Sequence, residues 1–309
     1  MSHLTEIADG IYQLRFTLDQ ARFQSRVYLV AGNRGAVVET GPAIMAPSIV
    51  EALRASPGGL DGVAFIVPTH LHLDHGGGVG ALAQALPGAT VVAHERAIRH
   101  LIDPSRLIDS TRMAFGHRFE EHYGPIVPVA PERVHPAADG EMLDLGGRKL
   151  DVVYTPGHAP HHLCLLDSRT RAMFVGESLG HYLPDTGLLV PSIPLPMVDL
   201  KAIFRGINRI QRLNPDMLIF SQFGHSPDTE RLILEAKRAM AATSRIVLSR
   251  LRGGGSEQEA AALVLAHYAE RASRLDPQGP LTRFSGAWAG TTLQLVQSLR
   301  DYFRKRDLL

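Results

Sequence analysis

Four potential metal ligands lie within six residues, in the segment Thr69-His70-Leu71-His72-Leu73-Asp74-His75-Gly76-Gly77. The segment follows the apolar run Val63–Val67, which predicts a strand, so the four side chains lie where a strand ends and can converge on one point. Histidine and carboxylate together are ligands that Zn²⁺ favours, whereas an all-oxygen set would indicate Mg²⁺ or Ca²⁺. The turn therefore predicts a zinc-type site, and a solvated polar loop is the structural alternative.

Three further candidates each follow a short apolar run that predicts a strand. They are His158 after 152–154, Glu177 after 173–175 and His225 after 218–220. A packed sheet delivers the residues at its strand ends to a common edge. Any one of these residues alone is more often a satisfied structural side chain than a ligand, but the repeated arrangement favours ligation.

The surrounding elements alternate between the periodicity of strands and that of helices. Short apolar runs bounded by turn residues predict the strands, and apolar residues three and four apart predict the helices. The predicted class is α/β or α+β, with sheets covered by helices. Strands are expected at 11–16, 26–30, 36–39, 63–67 and 90–93, and helices at 46–55 and after Gly78.

Residues 94–123 carry helical spacing in two pieces that are broken at Asp103-Pro104, and they predict a helical insertion. A second strand-rich block runs from about 134 to 220. The histidines of the insertion, among them His94, are expected to be exposed to solvent.

The chain from about 228 onward is predicted to be helical. Ser256 and Glu259 have the spacing of a capping box, and Leu295, Leu299 and Tyr302 form a stripe that predicts a docking face. The patterns divide the chain into 1–227 and a helical region 228–309, and every ligand candidate precedes that region.

The bulk composition limits the function classes. Lys and Arg total 32 against 31 for Asp and Glu, a formal net charge of +1, so no overall field favours nucleic acid as a partner. The single cysteine, Cys164, excludes an internal disulfide and is expected to be buried in a strand. No stretch has the basic start of a signal peptide or the apolar length of a membrane span, so the expected location is the cytoplasm, without a membrane partner.

The motif His70-x-His72-x-Asp74-His75, the turn Thr155-Pro156-Gly157-His158 and the later Gly224-His225 resemble those of the metallo-β-lactamase superfamily. That superfamily includes glyoxalase II, lactonases and RNA-processing nucleases, and the resemblance covers roughly residues 8 to 228. It implies an αββα sandwich of two mixed β-sheets flanked by helices, with metals at one edge, and makes 1–227 the catalytic domain.

The resemblance also implies a ligand set. The first metal would be bound by His70, His72 and His158, and the second by Asp74, His75 and His225. The family usually has a bridging aspartate where this chain has Glu177, which is one methylene longer and leaves the two-metal state open. The expected cofactor is Zn²⁺, two ions per chain, with iron or manganese as alternatives. His161, His162 and His181 are expected to be neighbours of the site or surface residues, with auxiliary ligation as the alternative.

A metallo-hydrolase is the function implied, in which a metal-activated hydroxide cleaves a small ester, thioester or lactone. Asp74 is the candidate catalytic residue, because it can bind a metal, orient the nucleophile and pass a proton to the leaving group. The alternative is a mononuclear iron persulfide dioxygenase of the same fold that uses His72, His158 and Glu177.

Two other readings carry less support. A nuclease is disfavoured because the charge of the chain is balanced. A non-enzymatic metal-binding module is disfavoured because a closed structural site needs fewer ligands than this chain offers. The expected partner is a small-molecule substrate. The insertion 94–123 is interpreted as a roof over the site that pairs with an anionic substrate; the alternatives are the contact of a homodimer and a solvated helix face.

Overall fold

A computed structural model of the protein describes residues 3–15, 25–116, 119–194, 198–279 and 287–309. Contacts between residues divide the chain into two units. The first comprises Met1–Tyr154, Pro160–Gly176 and Pro215–Pro227; the second comprises Thr155–Ala159, Glu177–Asn214 and Asp228–Leu309. A segment of the second unit thus begins at Asp228, but that unit also includes two earlier segments. The division of the whole chain into domains 1–227 and 228–309 stays a prediction.

The first unit contains a seven-stranded mixed sheet whose strands follow chain order. They are β1 (His3–Ala8), β2 (Ile11–Arg15), β3 (Arg26–Val30), β4 (Gly35–Val38), β5 (Val63–Val67), β6 (Thr90–His94) and β7 (Val134–Ala137). The strands from β1 to β4 pair antiparallel, and those from β4 to β7 pair parallel. The parallel strands end at one edge of the sheet, so Glu39, the turn at 69–77 and His94 are delivered to that edge.

A second mixed sheet of six strands belongs to the same unit. Its strands are β8 (Met142–Asp144), β9 (Lys149–Tyr154), β10 (Leu163–Asp167), β11 (Ala172–Gly176), β14 (Met217–Phe220) and β15 (His225–Ser226). Among the described strands of this sheet, only β11 and β14 pair parallel. Every residue of β10 and β11 is buried, and apart from Asp167 at the end of β10 their sequences are apolar throughout, with no polar alternation. Cys164 lies in β10 and is buried, as the sequence predicts.

The two sheets of the first unit pack face to face. Tyr28, Val38 and Val67 of the first sheet share one core cluster with Val152 and Phe174 of the second. Helices cover the other face of the first sheet, where a separate cluster contains the buried side chains of α1 (Ala46–Arg54) and α3 (Val79–Ala85). The predicted class, mixed sheets flanked by helices, is confirmed. The helices of this unit are α1 (Ala46–Arg54), α2 (Leu73–Gly76), α3 (Val79–Ala85), α4 (Ile98–Ile102), α5 (Ser105–Phe115) and α6 (Phe119–Tyr123).

The insertion is helical, as predicted, and the break at Asp103-Pro104 separates α4 from α5. Residues 117–118 lie outside the described residues. Phe119 and Tyr123 of α6 are buried and form a cluster with Leu73 from the turn that carries the ligand candidates. The insertion therefore packs directly on that turn.

The second unit contains a hairpin of β12 (His181–Leu183) and β13 (Leu188–Val190) and the helices α7 (Leu200–Leu213), α8 (Thr229–Arg252), α9 (Glu257–Leu275) and α10 (Ala287–Arg304). The capping box of Ser256 and Glu259 is present at the start of α9. Leu295, Leu299 and Tyr302 are buried, and α10 packs against α8 and α9 within this unit. Among the described residues, no helix combines the length and the apolar character that crossing a bilayer requires.

A buried ion pair lies in the second sheet. Arg148 directly precedes β9 and Asp167 ends β10, and both side chains are fully buried. Because β9 and β10 are antiparallel, this pair lies at the opposite end of the two strands from Tyr154 and Leu163.

Candidate metal centre

The turn after β5 separates its apolar and polar side chains by simple alternation. Leu71 and Leu73 are buried in two apolar clusters, and the histidines on either side of them face the other way. The main chain of the turn is fixed from two neighbouring segments: the Thr40 amide and hydroxyl both donate to the His75 carbonyl (2.9 and 2.8 Å), and the Ser25 hydroxyl donates to the Asp74 carbonyl (3.1 Å). The ligand candidates are therefore held by main-chain bonds before any ion binds.

All four candidates of this turn come together. His70 Nε2 lies 3.1 Å from His72 Nδ1, and the His70 and His75 ring centroids are 4.4 Å apart. His75 Nε2 lies 3.2 Å from Asp74 Oδ2. The same oxygen accepts a hydrogen bond from Gln222 Nε2 at 3.1 Å, which fixes the direction of the Asp74 carboxylate.

A buried carboxylate that the sequence reasoning missed, Glu39, lies behind the turn with 2% of its surface exposed. Its Oε1 accepts hydrogen bonds from the hydroxyls of Thr69 and Ser221, both at 2.5 Å. The Thr69 oxygen in turn lies 3.0 Å from His70 Nδ1. Since the Thr69 proton is donated to Glu39, His70 donates from Nδ1 and its Nε2 keeps the lone pair that a metal needs.

The other oxygen of Glu39, Oε2, is buried and has no hydrogen-bond partner among the described residues. It faces His75 Nδ1 at 3.8 Å. Burial raises the pKa of Glu39, although the charge of His75 and the two hydroxyls act in the opposite direction. Two signals could have identified this residue: a carboxylate directly after a buried strand, and the neighbouring strand that carries the motif.

Gly176 ends β11 immediately before Glu177, and its backbone has a positive φ of 54°. A Cβ here would lie 2.4 Å from His162 Nε2 and 2.7 Å from Thr69 Oγ1. Only glycine fits where the strand passes so close to these side chains. His162 is fully buried and stacks on His70, with ring centroids 5.0 Å apart.

A second polar group belongs to the other unit and contains His158, Glu177, His181 and Ser192. His158 Nδ1 donates to the Ser192 carbonyl (3.1 Å), and its Nε2 lies 3.1 Å from Glu177 Oε2. His181 Nε2 donates to Glu177 Oε1 (2.8 Å), and the Ser192 hydroxyl donates to Oε2 (2.8 Å). The predicted pair of His158 and Glu177 therefore lies in direct contact.

His225 is the first residue of β15 and pairs with Ile219 of β14. It therefore lies a short turn after the strand that the sequence predicted at 218–220.

The expectation that His94 is exposed to solvent was wrong. His94 ends β6 with 3% of its surface exposed and stacks on Tyr154, with ring centroids 3.7 Å apart. Its Nδ1 also accepts a hydrogen bond from the Arg96 amide (3.1 Å), and burial lowers the pKa of its imidazole. A histidine at the end of a central parallel strand is packed, even where the following segment is an insertion.

The donor set suits a divalent cation. Both His70 and His158 donate from Nδ1 to an oxygen, so each neutral ring presents the Nε2 lone pair. In the second group, that lone pair faces a carboxylate oxygen at 3.1 Å, a contact that only a proton or a cation between the atoms makes favourable. In the first group, Glu39 adds a buried carboxyl group whose Oε2 has no hydrogen-bond partner among the residues that the structure describes. Imidazole and carboxylate donors in this state match zinc-type ions.

The sequence model of one family, described as the metallo-beta-lactamase superfamily, matches residues 21–222. A metallo-beta-lactamase fold-containing protein of Sulfurisphaera tokodaii is 29% identical over 167 residues, which are 53% of this chain and 62% of that protein. An acyl-coenzyme A thioesterase of Gallus gallus is 28% identical over 182 residues, 55% of this chain and 63% of that protein. The chain thus spans less than two thirds of the length of these curated relatives.

The fold is shared with solved structures. A metallo-beta-lactamase family protein of Thermus thermophilus superposes with a TM-score of 0.68 at 21% identity, over 98% of this chain and 95% of that one. At that identity the likeness concerns the fold alone, and it agrees with the two mixed sheets and their flanking helices.

Proposed function

The chain belongs to the metallo-β-lactamase superfamily, and from that membership we propose that it is a metal-dependent hydrolase of a small ester, thioester or lactone. An acyl thioester is the favoured class, because the similar Gallus gallus protein is named an acyl-coenzyme A thioesterase. The observation that carries the proposal is the turn at 70–75, in which three imidazoles and the Asp74 carboxylate are brought together with their main chain already fixed.

We propose two Zn²⁺ ions as the cofactor. His70, His72 and His158 would hold one ion, and Asp74, His75 and His225 would hold the other, with Glu177 at the bridging position. When bound, such ions polarise the scissile carbonyl and supply hydroxide near neutral pH by lowering the pKa of water.

Asp74 is the proposed catalytic residue. Its carboxylate is half-buried, contacts His75 and is oriented by the Gln222 amide. Held in that direction, it can accept a hydrogen bond from the attacking water and deliver the proton to the leaving group. Buried Glu39 acts indirectly, through Thr69. Because Glu39 accepts the Thr69 proton, the proton of His70 is fixed on Nδ1.

The experiment combines metal content with turnover. Protein purified without added metal is analysed for its elements and then assayed with acetyl-coenzyme A, p-nitrophenyl acetate and a simple lactone. We expect about two zinc equivalents and hydrolysis of the thioester. His70→Ala is expected to lose both, whereas the control His135→Ala changes an exposed histidine that is paired with Glu141 and keeps both. One iron per chain, with oxygen consumption on a persulfide substrate, would instead establish the dioxygenase.

A further inference from the structure

Glu177 has one methylene more than the aspartate usual at this position, and therefore one more rotatable bond. A longer arm has more reach but loses more rotamer freedom when its carboxylate is fixed. A glutamate that must hold its two oxygens in one place therefore needs partners that restrain it.

The second unit supplies those partners. The carboxylate is buried, with 5% of the residue's surface exposed, and each of its oxygens accepts a hydrogen bond. His181 Nε2 donates to Oε1 and the Ser192 hydroxyl donates to Oε2, both at 2.8 Å. The two donors therefore fix the orientation of the carboxylate plane as well as its position.

Both donors lie in or directly after one hairpin, that of β12 and β13. His181 is the first residue of β12 and pairs with Val190, and Ser192 follows two residues after Val190. The turn back from Glu177 is closed by the Gly180 amide, which donates to the Glu177 carbonyl at 3.0 Å. Gly180 has a φ of 95°, and a Cβ there would lie 2.4 Å from the Val190 carbonyl, so the close approach requires glycine. The hairpin thus holds the two donors at a fixed separation.

The C-terminal helix reaches the same hairpin. Trp288, the single tryptophan of the chain, lies in the first turn of α10 and packs edge-on against His181, with ring centroids 5.6 Å apart and an interplanar angle of 78°. This is the favourable T-shaped arrangement of two aromatic rings. It limits rotation of the imidazole that donates to Glu177.

We propose that His181 and Ser192 clamp Glu177 for metal binding, and that Trp288 holds His181 in its donating orientation. The inference rests on the proposed function, because it gives Glu177 a metal to bind. His181 and Ser192 are positioning residues, and the clamp is what allows a glutamate to stand in the place of an aspartate.

The first test measures Zn²⁺ affinity of the full-length protein by competition with a chromogenic chelator. His181→Phe keeps a ring against Trp288 but removes the donor, and we expect the affinity of one equivalent to fall about 10- to 100-fold, the usual effect of losing a group that orients a ligand. His181→Gln retains an N–H donor and is expected to restore most of the affinity. His135→Ala, which breaks an exposed imidazole–carboxylate pair in the first unit, serves as the control with unchanged affinity.

The second test is a double-mutant cycle with Glu177→Asp. The shorter arm withdraws its carboxylate from His181, so adding His181→Phe to Glu177→Asp is expected to lower affinity by less than about twofold, whereas the same change in the native background has its full effect. If the two substitutions lower Zn²⁺ affinity independently, so that their fold-changes multiply in the double variant, the clamp is wrong.

The third test uses the fluorescence of Trp288, which is unambiguous because no other tryptophan is present. Co²⁺ is expected to quench this emission in proportion to occupancy, and His181→Phe should shift the quenching to higher Co²⁺. Trp288→Ala is expected to lower Zn²⁺ affinity about threefold, within the contribution of one aromatic pair, while Trp288→Phe preserves it.

The outcomes separate the two proposals. If the native protein binds zinc and His181→Phe binds it equally well, the clamp is wrong and the proposed function stands. If the native protein takes up no zinc in the competition assay, both are wrong. Weaker binding in a His181→Phe protein that melts at the native temperature, with recovery in His181→Gln, supports the clamp.

Discussion

Two buried polar clusters of the first unit differ in how completely their atoms are partnered. In the first, Arg148 donates to both oxygens of Asp167 at 2.5 and 3.0 Å, and the Thr170 amide and hydroxyl add donors at 2.7 and 2.6 Å. Its two charges cancel. In the second, around the turn at 70–75, Glu39 Oε2 is buried and has no hydrogen-bond partner in the described part of the chain, and His70 Nε2 lies 3.1 Å from His72 Nδ1.

The difference separates a structural cluster from a functional one. A buried ion pair whose two carboxylate oxygens both accept hydrogen bonds has little left to offer a ligand, whereas an incomplete cluster is stable only if something else completes it. The two clusters also lie at opposite ends of β10: Asp167 is its last residue, whereas the amide of Leu163, its first residue, donates to the Thr69 carbonyl beside the turn (2.9 Å).

Breaking the satisfied cluster should have the largest effect on stability. Asp167→Asn removes the charge that Arg148 requires, and leaving a buried charge unpaired costs about 3–5 kcal/mol of unfolding free energy. Urea unfolding measures the loss, with the exposed Asp144→Asn in the same sheet as the control. Zinc bound per folded molecule should not change. A variant of native stability would show that the pair contributes nothing.

Changing the charge within the incomplete cluster should affect turnover rather than folding. Asp74→Asn keeps the volume of the side chain and removes the carboxylate that Gln222 orients. Hydrolysis should fall by at least about 100-fold, the lower end of what a positioned acid or base contributes. The urea midpoint should stay close to that of the native protein. Full activity on a thioester that the native enzyme cleaves well would remove Asp74 from the mechanism.

The comparison also explains what the sequence could predict. The ligands at 70–75 are local: a short turn that follows an apolar run and buries Leu71 and Leu73 brings them together. The predicted strands, the break at Asp103-Pro104 and the capping box at Ser256 depend on equally short patterns, and they are confirmed.

Partners distant in sequence could not be predicted in this way. Glu39 is bound by Thr69, 30 residues away, and by Ser221, 182 residues away. Those contacts exist because β4 lies beside β5 and because the second sheet packs on the first. The periodicity of the sequence indicates the strands, but it indicates neither their pairing nor the packing of the sheets. His94 was misjudged for the same reason, since its burial depends on the stacking of Tyr154 from another sheet.

A smaller effect is expected from Glu39→Gln, which tests whether the incomplete cluster depends on charge. The amide has nearly the same shape, but it removes the buried negative charge behind His70 and His75. We expect Zn²⁺ affinity to fall about 10-fold, as when a ligand loses an orienting carboxylate. Chelator competition measures it, and Ser221→Ala, which removes one hydroxyl and no charge, should have the weaker effect. Equal affinity in Glu39→Gln would mean that the carboxylate serves only to pack the turn.

The smallest expected effect is the change that mild acid causes in the stability contributed by the pair of Arg148 and Asp167. Burial by itself raises the pKa of Asp167, but the hydrogen bonds from Arg148 and Thr170, together with the Arg148 charge, hold it below its ordinary value. The folded protein therefore binds this proton less readily than the unfolded chain does. The stability that the pair contributes is present above the unfolded pKa of about 4 and is lost as the pH falls through the folded pKa.

Urea unfolding of the native protein and of Asp167→Asn from pH 8 to pH 3 isolates this contribution, because the variant has no group to titrate at that position. The gap between the two unfolding free energies should stay constant from pH 8 to about pH 5 and narrow only below about pH 4. A gap that closes between pH 7 and pH 5 would mean that Asp167 is protonated far more easily than its four hydrogen bonds imply, and the contrast between the two clusters would then fail.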